Sequence, residues 1–267
     1  DGEELPADLV IGATDMHHVE TALLDATDRT RGDAYWASKT PGVSALLAFI
    51  DVEGSLPELA HHTLFFSRDW DANFAAISAR EIPPHPASIY VSRTTATDPT
   101  AAPAGHEALV MLVPFPADAE LGSTHESRQA VRSHAEAYLA QVGTWAGVPD
   151  LPQRARIVDL MMPADFATRL NAWQGSALGL EHTLRQSAMF RPGNVSKAVP
   201  NLVYAGASTV PGVGVPMCLI SAELVVKRLL GDTSATPIDG ELAHGFLADS
   251  RKRGVLGDIA RGADGEP

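Results

Sequence analysis

Residues 201–230 read NLVYAGASTVPGVGVPMCLISAELVVKRLL, and the fold turns on how this stretch is read. Leu202 to Ala205 is a short extended run that Gly206 ends. A glycine there lets the backbone come close to a ligand, because no Cβ stands in the way. Pro211, Gly212 and Gly214 shape a tight turn, and Pro216 suits the first turn of an apolar helix, where its missing N–H costs nothing. The amides of Met217, Cys218 and Leu219 then lie at the positive end of that helix. Such an end attracts a phosphate, a carboxylate or the carbonyl edge of a flat cofactor ring. The stretch lacks both the GxGxxG spacing and the lysine of a P-loop, so spacing alone also allows an ordinary strand-to-helix turn in an α/β domain.

Working outward, a chain of 267 residues that is 45% hydrophobic can bury a large core. It carries no apolar run of about 18 residues, and DGEELPAD at residues 1–8 is the opposite of a secretory signal, so the expected location is cytoplasmic. The single cysteine, Cys218, rules out an internal disulfide and reads as a small packing residue. The formal net charge is −13, and the first sixty residues hold twelve acidic side chains against three basic ones. Nucleic acid is therefore not an expected partner, since phosphate binding needs clustered lysine and arginine. The chain opens without methionine and reaches a strand signal at Leu9, which suggests a segment completed by something longer.

Asp8–Gly12 reads as a buried strand, and Thr14-Asp15 as the cap of a helix running to about Asp25 with Val19, Leu23 and Leu24 on one side. Residues 42–53, 62–66, 87–93 and 107–114 predict four strands of a mixed or antiparallel sheet. Residues 94–105 read as a loop. A long helix is expected from Ser123 to Trp145, with Val131, Ala135, Tyr138, Leu139 and Val142 along one face. Arg156–Met161 predicts a strand, and Pro163 opens a helix to about Trp173. After Leu230 the periodicity fades, which predicts a loosely packed tail over 232–267 with one short helix near Leu242–Lys252.

Several separated stretches resemble one family in the right order. They are ADLVIGATDMHHVETALL (7–24), HHTLFFSRDWDANFAAI (61–77), ASIYVSRTTATDPTAAPAGHEALVMLVPFP (87–116) and FATRLNAWQGSALGLEHTLRQSAMFRP (166–192). Together with 201–230 the sequence looks like the bacterial-type phytoene desaturases, carotenoid desaturases within the FAD-dependent, amine-oxidase-like flavoproteins. The resemblance implies an incomplete two-domain α/β flavoprotein: an α+β substrate domain plus part of a Rossmann-like FAD-binding domain, lacking the amino-terminal GxGxxG βαβ. By the same resemblance residues 1–28 and 165–231 belong to the FAD-binding domain and residues 29–164 to the substrate domain.

The resemblance further implies that Gly206 and Ala207 approach the ribityl-pyrophosphate part of FAD, that Val215, Pro216 and Met217 face the isoalloxazine edge, and that Gly214 belongs to the same cofactor-binding loop. Arg191 is a candidate anchor for substrate or phosphate, with a structural salt bridge as the competing role. The sequence departs from the commonest family form at Ser208 and Met217, each in place of glycine, and at Val210 in place of histidine. The implied activity is loss of a hydride and a proton from C–C bonds of a long polyene, with FAD carrying the redox step. A related polyene isomerase, saturase or oxygenase, and a non-catalytic remnant, are the alternatives. The implied partners are a long apolar polyene, the missing amino-terminal half and a membrane surface. No catalytic base is identified. His17-His18 and His61-His62 are expected to point apart within each pair and to serve surface or packing roles rather than a metal. Asp98-Pro99 reads as a turn former.

Overall fold

The computed structural model of the chain describes residues 2–238. In chain order its main elements are β1 (Val10–Gly12), α1 (Met16–His18), α2 (Asp33–Ala37), β2 (Ser44–Glu53), β3 (His62–Phe65), α3 (Trp70–Ser78), β4 (Ile89–Arg93), β5 (His106–Phe115), α4 (His125–Ala146), α5 (Leu151–Arg154), β6 (Ala155–Met161), α6 (Pro163–Arg169), β7 (Leu202–Tyr204) and α7 (Val215–Leu230). They divide between two compact units. One is discontinuous, from residues 1–41 and 178 onward; the other is residues 42–177. The sequence reading sets the corresponding boundaries earlier, at 28/29 and 164/165. The helix expected near Leu242–Lys252 lies outside the described residues.

Residues 42–177 form a five-stranded antiparallel sheet in the order β3-β4-β5-β2-β6. Strand β5 alternates strictly between buried and half-buried residues, as a strand with one face on a core must. The buried face, with Leu46, Ala48, Ile50, Leu109, Met111 and Val113, packs with Val131, Ala135, Tyr138, Leu139 and Val142 of α4. That helix begins where Thr124 Oγ1 accepts from Ser127 N at 3.1 Å and ends at Gly147, whose φ of 75° only glycine adopts without strain. Helix α3, capped by Asp69 accepting from Ala72 N at 3.0 Å, is absent from the sequence reading.

The opposite face of this sheet is apolar too. The pairings Leu64↔Tyr90, Tyr90↔Leu112, Leu112↔Leu47 and Leu47↔Met161 set one continuous row across all five strands. Four interstrand steps make that row about 19 Å long. The neighbouring row on the same face, His62, Ser92, Val110, Phe49 and Asp159, turns polar at both ends.

In the discontinuous unit β1 and β7 pair in parallel, with Val10↔Leu202 and Gly12↔Tyr204 in register. Val203, Val195, Val225 and Leu229 form its small core. Asp15 caps α1 as expected, accepting from His17 N at 2.8 Å. The helix does not continue as an α-helix to Asp25. Residues Val19–Leu23 form a π-helical turn, which rotates the side-chain register. Leu23 is therefore exposed, and Glu20 is fully buried in its stead. The Glu20 carboxylate is satisfied by Arg31 Nη1 at 3.1 Å, Thr30 N at 2.8 Å and the Tyr204 hydroxyl at 2.9 Å. Burial, with this carboxylate beside it, pushes the Tyr204 phenol upward. Helix α6 likewise stops at Arg169, short of Trp173, because Asn171 turns left-handed at φ 53°.

Candidate functional site: the β7-to-α7 loop and the apolar cavity

Strand β7 ends at Tyr204, and the chain leaves it through Gly206 at φ 110°, a conformation that disfavours any side chain. The Gly206 N–H donates to Ser221 Oγ of α7 at 3.0 Å. This bond ties the start of the loop to the helix that follows the loop. At the other end Gly214, φ 112°, is the N-cap of α7, and Cys218 N donates to its carbonyl at 2.9 Å. Among the described residues no side chain caps the helix start. A Cβ placed on Gly214 would meet nothing within 4 Å, and Val215 is 77% exposed. The positive end of a 16-residue helix is thus left uncovered by the described residues. A planar ring edge or an anion can be received there by amides alone, so these residues fit a flavin.

Beneath the loop lies Arg191, which is buried. Its Nε donates to Thr209 O at 3.1 Å, Nη1 to Gln186 O at 3.4 Å and Leu180 O at 3.5 Å, and Nη2 to Ala207 O. Its planar fork gathers two carbonyls of the loop, Ala207 and Thr209, and two of the segment before it, Leu180 and Gln186. Those carbonyl dipoles compensate a guanidinium whose charge burial disfavours. Thr209 Oγ1 adds a bond to Pro192 O at 2.8 Å. Gly206 and Ala207 thus stand at one end of a braced loop, with Gly214, Val215, Pro216 and Met217 at the other. Sequence reasoning missed Ser221 and the bracing role of Arg191. An arginine just before an apolar strand was the only sequence signal for it.

A cavity of about 290 Å³ opens in residues 42–177, lined by Leu64, Phe66, Trp70, Phe74, Tyr90 and Leu112 among others. Phe66 stacks on Trp70 at 5.5 Å, and Trp70 lies 5.8 Å from Phe74. Phe74 is 57% exposed, and Leu64, Phe66 and Trp70 are exposed as well. His61 and His62 do not point apart: their rings stack at 4.2 Å, because the chain is only entering β3 there and has not taken up the full strand alternation. His62 Nδ1 meets the Tyr90 hydroxyl at 2.7 Å. Asp98 serves its turn, accepting from Thr100 N at 2.9 Å. Among the described residues, no three or more His, Cys, Asp or Glu gather as a metal site.

The sequence profile of flavin containing amine oxidoreductases matches residues 1–230. The chain belongs to that family. FAD is the cofactor that flavin containing amine oxidoreductases bring with them, and it would be held through the glycine-opened loop and the α7 amides. A carotenoid 3,4-desaturase of Haloarcula japonica is 38% identical over 231 residues, covering 86% of this chain and 46% of the relative. A zeta-carotene-forming phytoene desaturase of Myxococcus xanthus is 33% identical over 256 residues, covering 91% of this chain and 48% of the relative. The chain therefore spans about half the length of the relatives it matches. An oxidoreductase structure from Methanosarcina mazei shares the fold, with a TM-score of 0.53 at 16% identity over 85% of this chain and 44% of that one.

Bracing by Arg191 predicts a loss of stability when the fork is removed. Arg191→Met should destabilise the chain on the order of 3 kcal/mol, at the upper end for hydrogen bonds to a charged group. Arg191→Lys should recover only part of that, since an ammonium cannot span the same carbonyls. The exposed Arg185→Met should stay within about 0.5 kcal/mol. Urea denaturation measures all three, and an Arg191→Met midpoint equal to wild type would refute the bracing role.

Proposed function

We propose that this chain forms the carboxyl-terminal portion of a FAD-dependent carotenoid desaturase acting on a long polyene such as phytoene. The observation that carries the reading is the uncapped, glycine-opened start of α7 in a chain related along most of its length to proteins named carotenoid and phytoene desaturases. Desaturation removes a hydride from one carbon and a proton from its neighbour, leaving a new C=C bond. Bound FAD supplies the hydride acceptor. The chain's own part is electrostatic and positional. The amides opening α7 stabilise negative charge at the ring edge, in a geometry already fixed by Arg191 and Ser221. The apolar row Leu64, Tyr90, Leu112, Leu47 and Met161 supplies a floor for an extended hydrocarbon.

A partner polypeptide carrying the rest of the FAD-binding domain belongs to this reading. Parallel strands are ordinarily buried on both faces within larger sheets. Here β1 pairs only with β7 among the described residues, and Val10 and Ile11 are 47% and 49% exposed. Further parallel strands would complete the edges of this pair, and the helices that cross over with them would cover these side chains. Membrane docking is part of the same proposal, because the polyene resides in lipid. The exposed Phe66, Trp70 and Phe74 offer an apolar tip at the cavity, and the net charge of −13 gives no attraction to anionic lipid. No helix among the described residues is long and apolar enough to cross a membrane.

Co-expression of this chain with the amino-terminal half of a matching desaturase, in a phytoene-accumulating bacterial host, should yield a yellow protein and carotenoids absorbing at longer wavelength. A flavin-loaded assembly that leaves phytoene and its partly desaturated products unchanged would contradict the assignment. For docking, the chain should co-sediment with phosphatidylcholine vesicles, and Trp70→Ala with Phe74→Ala should lower the bound fraction several-fold. Equal sedimentation of the double variant would remove the aromatic tip as the docking element.

A further inference from the structure

The cavity in residues 42–177 is almost wholly apolar, and four of its lining side chains, Trp70, Asn73, Ser88 and Tyr90, carry polar atoms, the Trp70 indole N–H being able only to donate. Two of these are committed to the protein. Asn73 Nδ2 donates to Asp69 O at 3.2 Å and Pro86 O at 3.4 Å, while its Oδ1 accepts from Ser88 N at 3.3 Å. Ser88 Oγ accepts from Ser67 N at 3.1 Å and lies 3.4 Å from Ser67 Oγ. Tyr90 is different. Its hydroxyl meets His62 Nδ1 at 2.7 Å, and a phenol oxygen has one donor and two acceptor positions. Whichever of the two atoms donates, the Tyr90 oxygen keeps capacity for another hydrogen bond.

Position gives that capacity its meaning. Tyr90 belongs to the apolar row of the sheet's open face, and His62 opens the adjacent row, with Ser92 paired beside it. The boundary between hydrocarbon-like and polar surface therefore falls at the Tyr90–His62 pair. His61, stacked on His62, restrains the orientation of its ring. A bare hydrocarbon lying along the row would leave this oxygen with its bond to His62 and nothing to take up its remaining capacity. A chain that ends in a hydroxyl would place a group able both to donate and to accept at the same point.

We propose that the Tyr90–His62 pair is a specificity determinant that favours long apolar ligands bearing a hydroxyl at one end over the corresponding hydrocarbons. The inference rests on the reading of this cavity as the polyene site. It assigns Tyr90 to ligand selection, with His62 as the positioning residue that orients the phenol. No step in bond chemistry is asked of either.

Retinol and axerophthene, the same polyene with hydrogen in place of the hydroxyl, separate the two possibilities. Their affinities for the chain can be read from polyene fluorescence. One hydrogen bond corresponds to roughly three- to tenfold in affinity. The ratio of retinol to axerophthene affinity should therefore be roughly three- to tenfold higher in wild type than in Tyr90→Phe, with axerophthene binding unchanged by the substitution. His62→Ala should lower the ratio part of the way. Phe74→Ala should weaken both probes alike, which places them in this cavity. A ratio that Tyr90→Phe leaves unaltered overturns the inference while sparing the cavity as an apolar site. Failure of wild type to bind either probe overturns both together.

Discussion

The parallel pairing of Val10–Gly12 with Leu202–Tyr204 is the constraint on which the rest depends. It joins strands far apart in sequence, so residues 42–177 are necessarily an insertion between two halves of one unit. It also fixes where the chain leaves β7. Gly206 at φ 110° turns the loop away from the strand end, and its N–H on Ser221 Oγ sets where α7 must begin relative to that turn. The small core of Val195, Val203, Val225 and Leu229 holds strand and helix together. The loop before the exposed helix start is braced from below by Arg191. Buried arginine among carbonyls is costly unless each donor finds a partner, and here three nitrogens reach four carbonyls.

The inserted unit solves a different problem. A five-stranded antiparallel sheet needs only one face covered to be stable, and α4 covers it. The second face is free to be shaped for a ligand. Its row of Leu64, Tyr90, Leu112, Leu47 and Met161 runs across the strands, an orientation that presents one residue from each strand to an elongated molecule. The aromatic side chains of α3 stand at its edge instead of in the core. An apolar surface left open in this way marks function more readily than stability.

Much of this was legible in the sequence, for reasons that differ by element. Strands β2, β4 and β5 announce themselves by β-branched residues between turn formers, and α4 by Val131, Ala135, Tyr138, Leu139 and Val142 at helical spacing. The glycines at 206, 212 and 214 adopt the positive φ values for which glycine is suited. Helix α3 was not legible, because Trp70 and Phe74 face a cavity and its apolar residues do not mark a buried stripe. The π-helical turn at Val19–Leu23 was hidden as well. It replaces Leu23 with Glu20 in the interior, and only the distant Arg31, Thr30 and Tyr204 make that substitution stable. Arg191 could be singled out from sequence, but its partners are main-chain carbonyls, which leave no residue-type signature.

Family membership supplies the flavin, and the proposed place for its ring edge is the start of α7, where no side chain among the described residues caps the helix. Amide hydrogen exchange on the chain assembled with its amino-terminal half, with and without FAD, tests that placement most directly. FAD should slow exchange at Gly206, Ala207, Val215 and Met217, while the amides of β5 stay unchanged. Protection that appears elsewhere, with the start of α7 exchanging equally in both states, would contradict it.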